Sequence, residues 1–341
     1  MRRFIMAVAF AALACYAMAD EECAPAGGFN FICGPVAVED LVRIPGTQWI
    51  LGSGMGGNKN PGALHLINAA QKTWEIFYPG TNPTNELEAK SYSSCPGAPD
   101  PKTFVSHGIA IRDDGRGMST VLSVNHGREA MEVFRINAAG KKPSIRWVGC
   151  VPMPADASMN SVAFLPDGGF VATKFYDPKA PEGFGAIIAR KITGGVLEWH
   201  PATGVKPIAG TELSGANGIV VSKDGKTIFA AAWGTQELTQ FSLRDGTVAK
   251  NVIKIDFSPD NLRWTPDGKI LVAGQNGALG SKNGARGFKG WTVIKLDPET
   301  MTTTEVAKDL GQSPLQNVSV AIEVDGTLWI GPFSGNRIAY R

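Results

Sequence analysis

The chain has 341 residues, with 33 lysines and arginines against 31 acidic residues. Ahead of position 20 stand Arg2 and Arg3 and no acid, so the remainder balances at 31 of each sign. A chain without net charge has no electrostatic reason to take nucleic acid or an anionic membrane as a partner. Its 41 glycines and the near absence of amphipathic helical periodicity point to an all-β fold rich in tight turns.

Met1-Arg2-Arg3 leads into an apolar stretch from Phe4 to Cys15, then Ala17-Met18-Ala19 and the acidic Asp20-Glu21-Glu22. A charged start, a short apolar centre and an A-x-A end mark a secretory signal peptide, so residues 1–19 are expected to be removed. Leu13 stands one place too close to Cys15 for a lipoprotein signal. Residues 20–341 are then expected to act as one domain in a secreted or periplasmic setting. No later stretch offers the roughly 20 apolar residues of a membrane span. Export leaves Cys23, Cys33, Cys95 and Cys150. An even count in an oxidising compartment implies two disulfides with three possible connectivities, and the lack of a CxxC spacing argues against zinc.

One hairpin unit then recurs along the chain: Glu39 to Gly52, turning at Pro45-Gly46; His107 to Val124, at Asp114-Gly115; and Asn160 to Thr173, at Asp167-Gly168. It returns from Asn217 to Ala230 at Asp224-Gly225, from Asn261 to Ala273 at Asp267-Gly268, and from Val318 to Gly331 at Asp325-Gly326. Asp-Gly supplies the positive φ angles of a tight hairpin, and turn-to-turn spacings of about 43 to 68 residues suit propeller blades. Weaker strands such as Leu238 to Leu243 and Val252 to Ile255 complete four per blade. The expected fold is a six-bladed β-propeller with four-stranded blades. After the last hairpin, Arg337 to Arg341 suffices for a third strand only. The N-terminal segment Phe29 to Ile32 is expected to donate the fourth and close the last blade, which removes an exposed sheet edge.

In a propeller the first strand of each blade is innermost, so the residues just before the hairpins meet at one mouth of the channel. They are Glu39, His107, Asn160, Asn217, the pair Asp260-Asn261, and residues 317–319. Any one of them alone is a common turn residue. Oxygen-bearing side chains recurring at one place in a repeat form a ligand set. Glu39 and Asp260 offer negative charge, and Asn160, Asn217 and Asn261 offer amide oxygens, which suits calcium ahead of magnesium or manganese. Such an ion acts as a Lewis acid.

The stretches Ser106-His107-Gly108-Ile109, Leu122-Ser123-Val124-Asn125-His126 and Glu132-Val133-Phe134 resemble the paraoxonases, members of the wider SMP-30/gluconolactonase superfamily. Val38-Glu39-Asp40-Leu41, Ala216-Asn217-Gly218-Ile219 and Asp260-Asn261 are similar to ligand segments of those enzymes, in the same order. The resemblance implies calcium-dependent hydrolysis of lactones and aryl esters, with His107 deprotonating water and His126 supporting it. It also implies a second, structural calcium bound partly by Asp40. Ser161 stands where the family has the second aspartate, which puts that second ion in doubt. The family ties its termini together by a disulfide. Here no cysteine follows Cys150, and we expect Cys95 to pair with Cys150 and Cys23 with Cys33.

Connecting segments, among them Met55 to Pro61, Tyr78 to Ser106 and Gln275 to Phe288, are expected to form the rim, where Phe175, Tyr176 and Trp233 would meet a small hydrophobic or aromatic substrate. No G-x-S-x-G element suggests a serine nucleophile. Two other classes fit the same architecture. One is a lyase or isomerase, either strictosidine-synthase-like or using the ion to stabilise an enolate. The other is a non-catalytic interaction propeller, which would not require Glu39, His107 and Asp260 together.

Overall fold

The computed structural model describes residues 23–57, 61–244, 247–277 and 288–341. The expected leader, residues 1–19, lies outside them, as does part of the rim between Gln275 and Phe288.

Among the described residues the first strand is β1 (Asn30–Cys33), and the blades follow in order. Blade 1 is β2 (Val38–Arg43), β3 (Trp49–Gly54), β4 (Ala63–Asn68) and β5 (Thr73–Tyr78). Blade 2 is β6 (Ser106–Gly115), β7 (Met118–Asn125), β8 (Ala130–Asn137) and β9 (Ser144–Pro152). Blade 3 is β10 (Ser158–Phe164), β11 (Phe170–Tyr176), β12 (Gly195–His200) and β13 (Gly204–Pro207), with the short helix α1 (Phe184–Ile188) on the β11–β12 connection. Blade 4 is β14 (Ala216–Val221), β15 (Thr227–Ala232), β16 (Glu237–Arg244) and β17 (Thr247–Lys254). Blade 5 is β18 (Ser258–Trp264), β19 (Ile270–Gln275), β20 (Trp291–Leu296) and β21 (Thr303–Asp309). Blade 6 is β22 (Val318–Val324), β23 (Thr327–Pro332) and β24 (Arg337–Tyr340), completed by β1, so the described residues form six four-stranded antiparallel sheets.

The N-terminal strand therefore closes the ring, pairing Asn30 with Tyr340 and Cys33 with Arg337. The seam between blades 6 and 1 is apolar: Ile32, Val38, Leu41, Val320, Trp329 and Ile338 form one buried cluster. Each such large side chain contributes about 1.5–3 kcal/mol when fully buried, so closure is driven by packing as well as by strand pairing. Cys23 is bonded to Cys33 at the end of β1, and Cys95 to Cys150 beneath the long β5–β6 connection.

The turns refine the sequence reading. Only Asp325-Gly326 makes a two-residue Asp-Gly hairpin with both residues left-handed, at φ 50° and 78°. In blades 3, 4 and 5 the glycine alone carries the positive φ, at 96° for Gly168, 75° for Gly225 and 76° for Gly268. There the amide of each glycine closes back onto Leu165, Ser222 or Thr265, so the loop is longer and the aspartate sits inside a conventional turn. In blade 2 the turn lies past the expected Asp114-Gly115, at Arg116 and Gly117, with φ 54° and 75°. The irregularity between Asp113 and Gly115 accommodates the displacement.

Strands β2, β6, β10, β14, β18 and β22 pack side by side around the channel. Each carries a register shift within its first residues, between Val38 and Asp40, Ser106 and Ile109, Met159 and Val162, Ala216 and Ile219, Pro259 and Leu262, and Val318 and Val320. A β-bulge turns a side chain away from the sheet faces. Repeated at one height around the ring, it aims Glu39, His107, Asn160, Asn217, Asp260 and Ser319 at the channel mouth.

Candidate metal centre and histidine relay

Two glycines let neighbouring bulges approach. A Cβ on Gly108 would lie 2.3 Å from the Asn160 carbonyl oxygen, and one on Gly218 would lie 2.3 Å from that of Asp260. Side chains at these positions would push the inner strands apart and widen the ring at the height of the site.

The oxygen set is brought together across blades. Asn261 donates from Nδ2 to Glu39 Oε1 at 2.6 Å, and Ser319 Oγ donates to the Glu39 carbonyl at 2.7 Å. Asn217 hydrogen-bonds the Asp260 side chain. Gln275 donates from Nε2 to Asp260 Oδ2 at 2.7 Å and to the Val318 carbonyl at 2.6 Å. Glu39, Asn160, Asn217, Asp260 and Asn261 are all 5 % exposed or less.

With these bonds assigned, Glu39 Oε2 and the Oδ1 atoms of Asn160, Asn217 and Asn261 remain buried without a hydrogen-bond partner. Unpaired buried acceptors are costly, and several gathered around one space is the arrangement a hard cation satisfies. The amide NH₂ groups of Asn217 and Asn261 face carboxylates, which leaves their carbonyl oxygens free. Burial, then the neighbouring Glu39, pushes the Asp260 pKa well above the usual carboxylate range. Two carboxylates this close repel, and a bound cation would remove that repulsion. The donor set therefore fits a calcium ion.

Asp40 does not fit as the ligand of a second ion. Its Oδ1 accepts from its neighbour Leu41 N at 2.8 Å, while Oδ2 accepts from Ile109 N at 2.8 Å and from the Arg263 guanidinium. Arg263 also donates to the carbonyls of Leu41 and Ile109, joining blades 1, 2 and 5 with a cation of its own. The Arg263→Met variant would leave Asp40 buried and unpaired, and is expected to lose about 3–5 kcal/mol of stability. Urea titration is the check; an unchanged midpoint would show that this ion pair is dispensable.

Of the four histidines, two line the mouth. His107 lies with Nε2 3.5 Å from Glu39 Oε1, and its Nδ1 is 2.6 Å from His126 Nε2. His126 Nδ1 is in turn 2.5 Å from Glu129 Oε1. Burial lowers the His107 pKa, but Glu39, Asp260 and Asp40 raise it more, so the net shift is upward. His65 differs: it packs edge-on to Trp74 at 5.4 Å, and burial lowers its pKa to about 4, so it is a neutral core residue. A 710 Å³ cavity lined by His65, Trp74 and Ile76 shares no residue with the channel-mouth set.

The Val-Asn-His and Glu-Val-Phe elements have a structural logic. Buried Glu132 accepts from Asn125 Nδ2 at 2.8 Å, Trp147 Nε1 at 2.7 Å and Arg128. Asn125 Oδ1 accepts from Val105 N at 3.1 Å and Gly127 N at 2.9 Å, which fixes the backbone on either side of His126.

Phe175 and Tyr176, at the end of β11, stand in an aromatic group with Phe184 and Trp233, their ring centroids 5.7–6.3 Å apart. Phe288 extends it through Trp233 at 5.8 Å. Trp233 also donates from Nε1 to Gln275 Oε1 at 2.9 Å, and so supports Asp260 from behind. Sequence reasoning missed Glu129 and Arg263, and had Gln275 only as the start of a rim segment, whereas it ends β19 and hydrogen-bonds Asp260. The His-x-x-Glu spacing could have flagged Glu129; nothing local marks the other two.

Fold and site define a six-bladed propeller with a buried oxygen cage and a histidine pair at its channel mouth. Residues 105–308 match the family model of the SMP-30/gluconolactonase/LRE-like region, and the chain belongs to that family. No curated protein sequence matches it. Among solved structures, a gluconolactonase from Xanthomonas campestris is 17% identical with a TM-score of 0.57, over 93% of this chain and 90% of that one. A luciferin-regenerating enzyme is 14% identical with a TM-score of 0.56, over 92% and 95% of the two chains. Regucalcin from Agrobacterium tumefaciens, a calcium-binding protein, is 12% identical with a TM-score of 0.51, over 90% and 93%. These likenesses establish the shared fold.

Proposed function

We propose that the protein is a calcium-dependent hydrolase of lactones or aryl esters, working outside the cytoplasm. The observation that carries this reading is the group of four buried, unpartnered oxygens, on Glu39, Asn160, Asn217 and Asn261, with His107 against Glu39. Membership of the SMP-30/gluconolactonase family supports it, as do relatives of the same fold described as a gluconolactonase and as a calcium-binding protein. The disulfides Cys23–Cys33 and Cys95–Cys150 suit an oxidising compartment.

Glu39, Asn160, Asn217, Asp260 and Asn261 would hold the calcium ion, which when bound supplies a Lewis acid for a carbonyl oxygen. His107 takes a proton from water as its oxygen bonds to the carbonyl carbon, and returns a proton to the alcohol oxygen when the ester C–O bond breaks. His126, hydrogen-bonded to His107, stabilises the imidazolium between those two events. The aromatic group of Phe175, Tyr176, Phe184 and Trp233 excludes water from one side and offers ring faces to an apolar or aromatic substrate.

Metal analysis and assays on a lactone and aryl-ester panel test the reading. One calcium per chain is expected, with hydrolysis abolished by a chelator and restored by calcium. Hydrolysis that survives chelation would sink it.

A further inference from the structure

We infer that Glu129 is the third member of the relay, a positioning residue that selects the tautomer of His126 and, through it, fixes His107 Nδ1 as a donor and His107 Nε2 as the nitrogen that exchanges its proton at the channel. This deepens the hydrolase reading and rests on it for its catalytic meaning; the tautomers themselves do not. A carboxylate only accepts hydrogen bonds, so the 2.5 Å contact between Glu129 Oε1 and His126 Nδ1 places a proton on that nitrogen. With that proton in place, the imidazole form of His126 has its lone pair on Nε2, and the 2.6 Å contact there is made by His107 donating from Nδ1. The other nitrogen of His107, Nε2, faces Glu39 at 3.5 Å: protonated it pairs with that carboxylate, and deprotonated it carries the lone pair of a base. Without Glu129, the opposite tautomer pair, with His126 donating from Nε2 to His107 Nδ1, would also satisfy the histidine-to-histidine bond and would fix the proton of neutral His107 on Nε2, against Glu39. The logic matches that by which an aspartate orients a catalytic histidine in hydrolytic triads.

The backbone supports a dedicated role. Glu129 ends the four-residue connection between β7 and β8 and adopts φ 43°, a left-handed conformation that glycine would hold without strain. Strain of this kind persists where surrounding contacts impose it. Here Glu129 O accepts from Met153 N at 3.0 Å and Oε2 accepts from Met159 N at 3.4 Å, so the carboxylate is held against His126 by the following blade.

The test is nitrogen-15 NMR of the histidine rings in the full chain, beside hydrolysis kinetics. In the parent, His126 and His107 should each carry a proton on Nδ1. Glu129→Ala should move His126 towards the Nε2–H tautomer and lower kcat roughly 10–100-fold with KM and calcium content unchanged. Glu129→Gln, whose amide can accept from Nδ1 or donate to it, should keep the contact but populate both tautomers of His126. Glu129→Gly relieves the left-handed backbone and secures a folded variant if alanine does not. A parent protein with His126 protonated on Nε2, or tautomers indifferent to every substitution at 129, would overturn the inference. If the tautomers behave as described and no ester is hydrolysed, the hydrolase reading fails and the relay stands.

Discussion

The Glu39→Gln variant is expected to lose bound calcium and at least about 10³-fold in hydrolytic rate, while its metal-free form becomes more stable than the metal-free parent. Both outcomes have one cause. Glu39 and Asp260 are buried within reach of each other, and Glu39 is, after burial itself, the main influence raising the Asp260 pKa. Glutamine keeps the oxygen that accepts from Asn261 and removes the charge. The metal-free site is relieved of repulsion, and the ion loses one of its two anionic ligands. Calorimetric calcium titration, kinetics at high calcium and melting in a chelator measure the three effects. A variant that retains calcium and turns over within tenfold of the parent would remove Glu39 from the site.

The second large effect falls on His107. His107→Gln is expected to cost about 10²–10⁴-fold in kcat with calcium content unchanged, the range typical of a lost general base. The sign of the pH dependence follows from the shift. A base acts unprotonated, so kcat/KM should rise with pH through the His107 pKa. Burial depresses that pKa, but the carboxylates of Glu39, Asp260 and Asp40 raise it by more. A calcium ion competes with the His107 proton for the same negative field, so raising calcium should move the acid limb to lower pH. Profiles at several calcium concentrations settle it; a limb that ignores calcium would place the base elsewhere.

How much of this was legible in the chain depends on how local each feature is. The blades were readable because each hairpin is written within 13 to 18 residues, with strand, turn and strand in succession. The gathering of oxygen-bearing side chains at the channel mouth was readable because the repeat gives them the same place in each blade. The bulges that aim the ligands leave no mark of their own, except where Gly108 and Gly218 permit close approach. The contacts of Arg263 and Gln275 were invisible for a different reason. Arg263 meets Asp40 across 223 residues, and Gln275 reaches Trp233 across 42. Those contacts arise from the packing of one blade against another and have no signature in local pattern. The turn in blade 2 was misplaced because Asp114-Gly115 and Arg116-Gly117 both carry a glycine, and strand pairing selects the second.

The proposed calcium ligands reside on β2, β10, β14 and β18, four separate blades, with Glu39 and Asn261 lying 222 residues apart in sequence. An ion gripped by such a set behaves like the keystone of an arch. It would be seated only once blades 1, 3, 4 and 5 stand in place around the channel, because the cage draws on all four. Its affinity is then added to the stability of the closed ring, by about 2.7 kcal/mol when calcium stands a hundredfold above its dissociation constant. The surrounding fluid, through its calcium, would set how firmly the clasp between the first strand and the last blade holds.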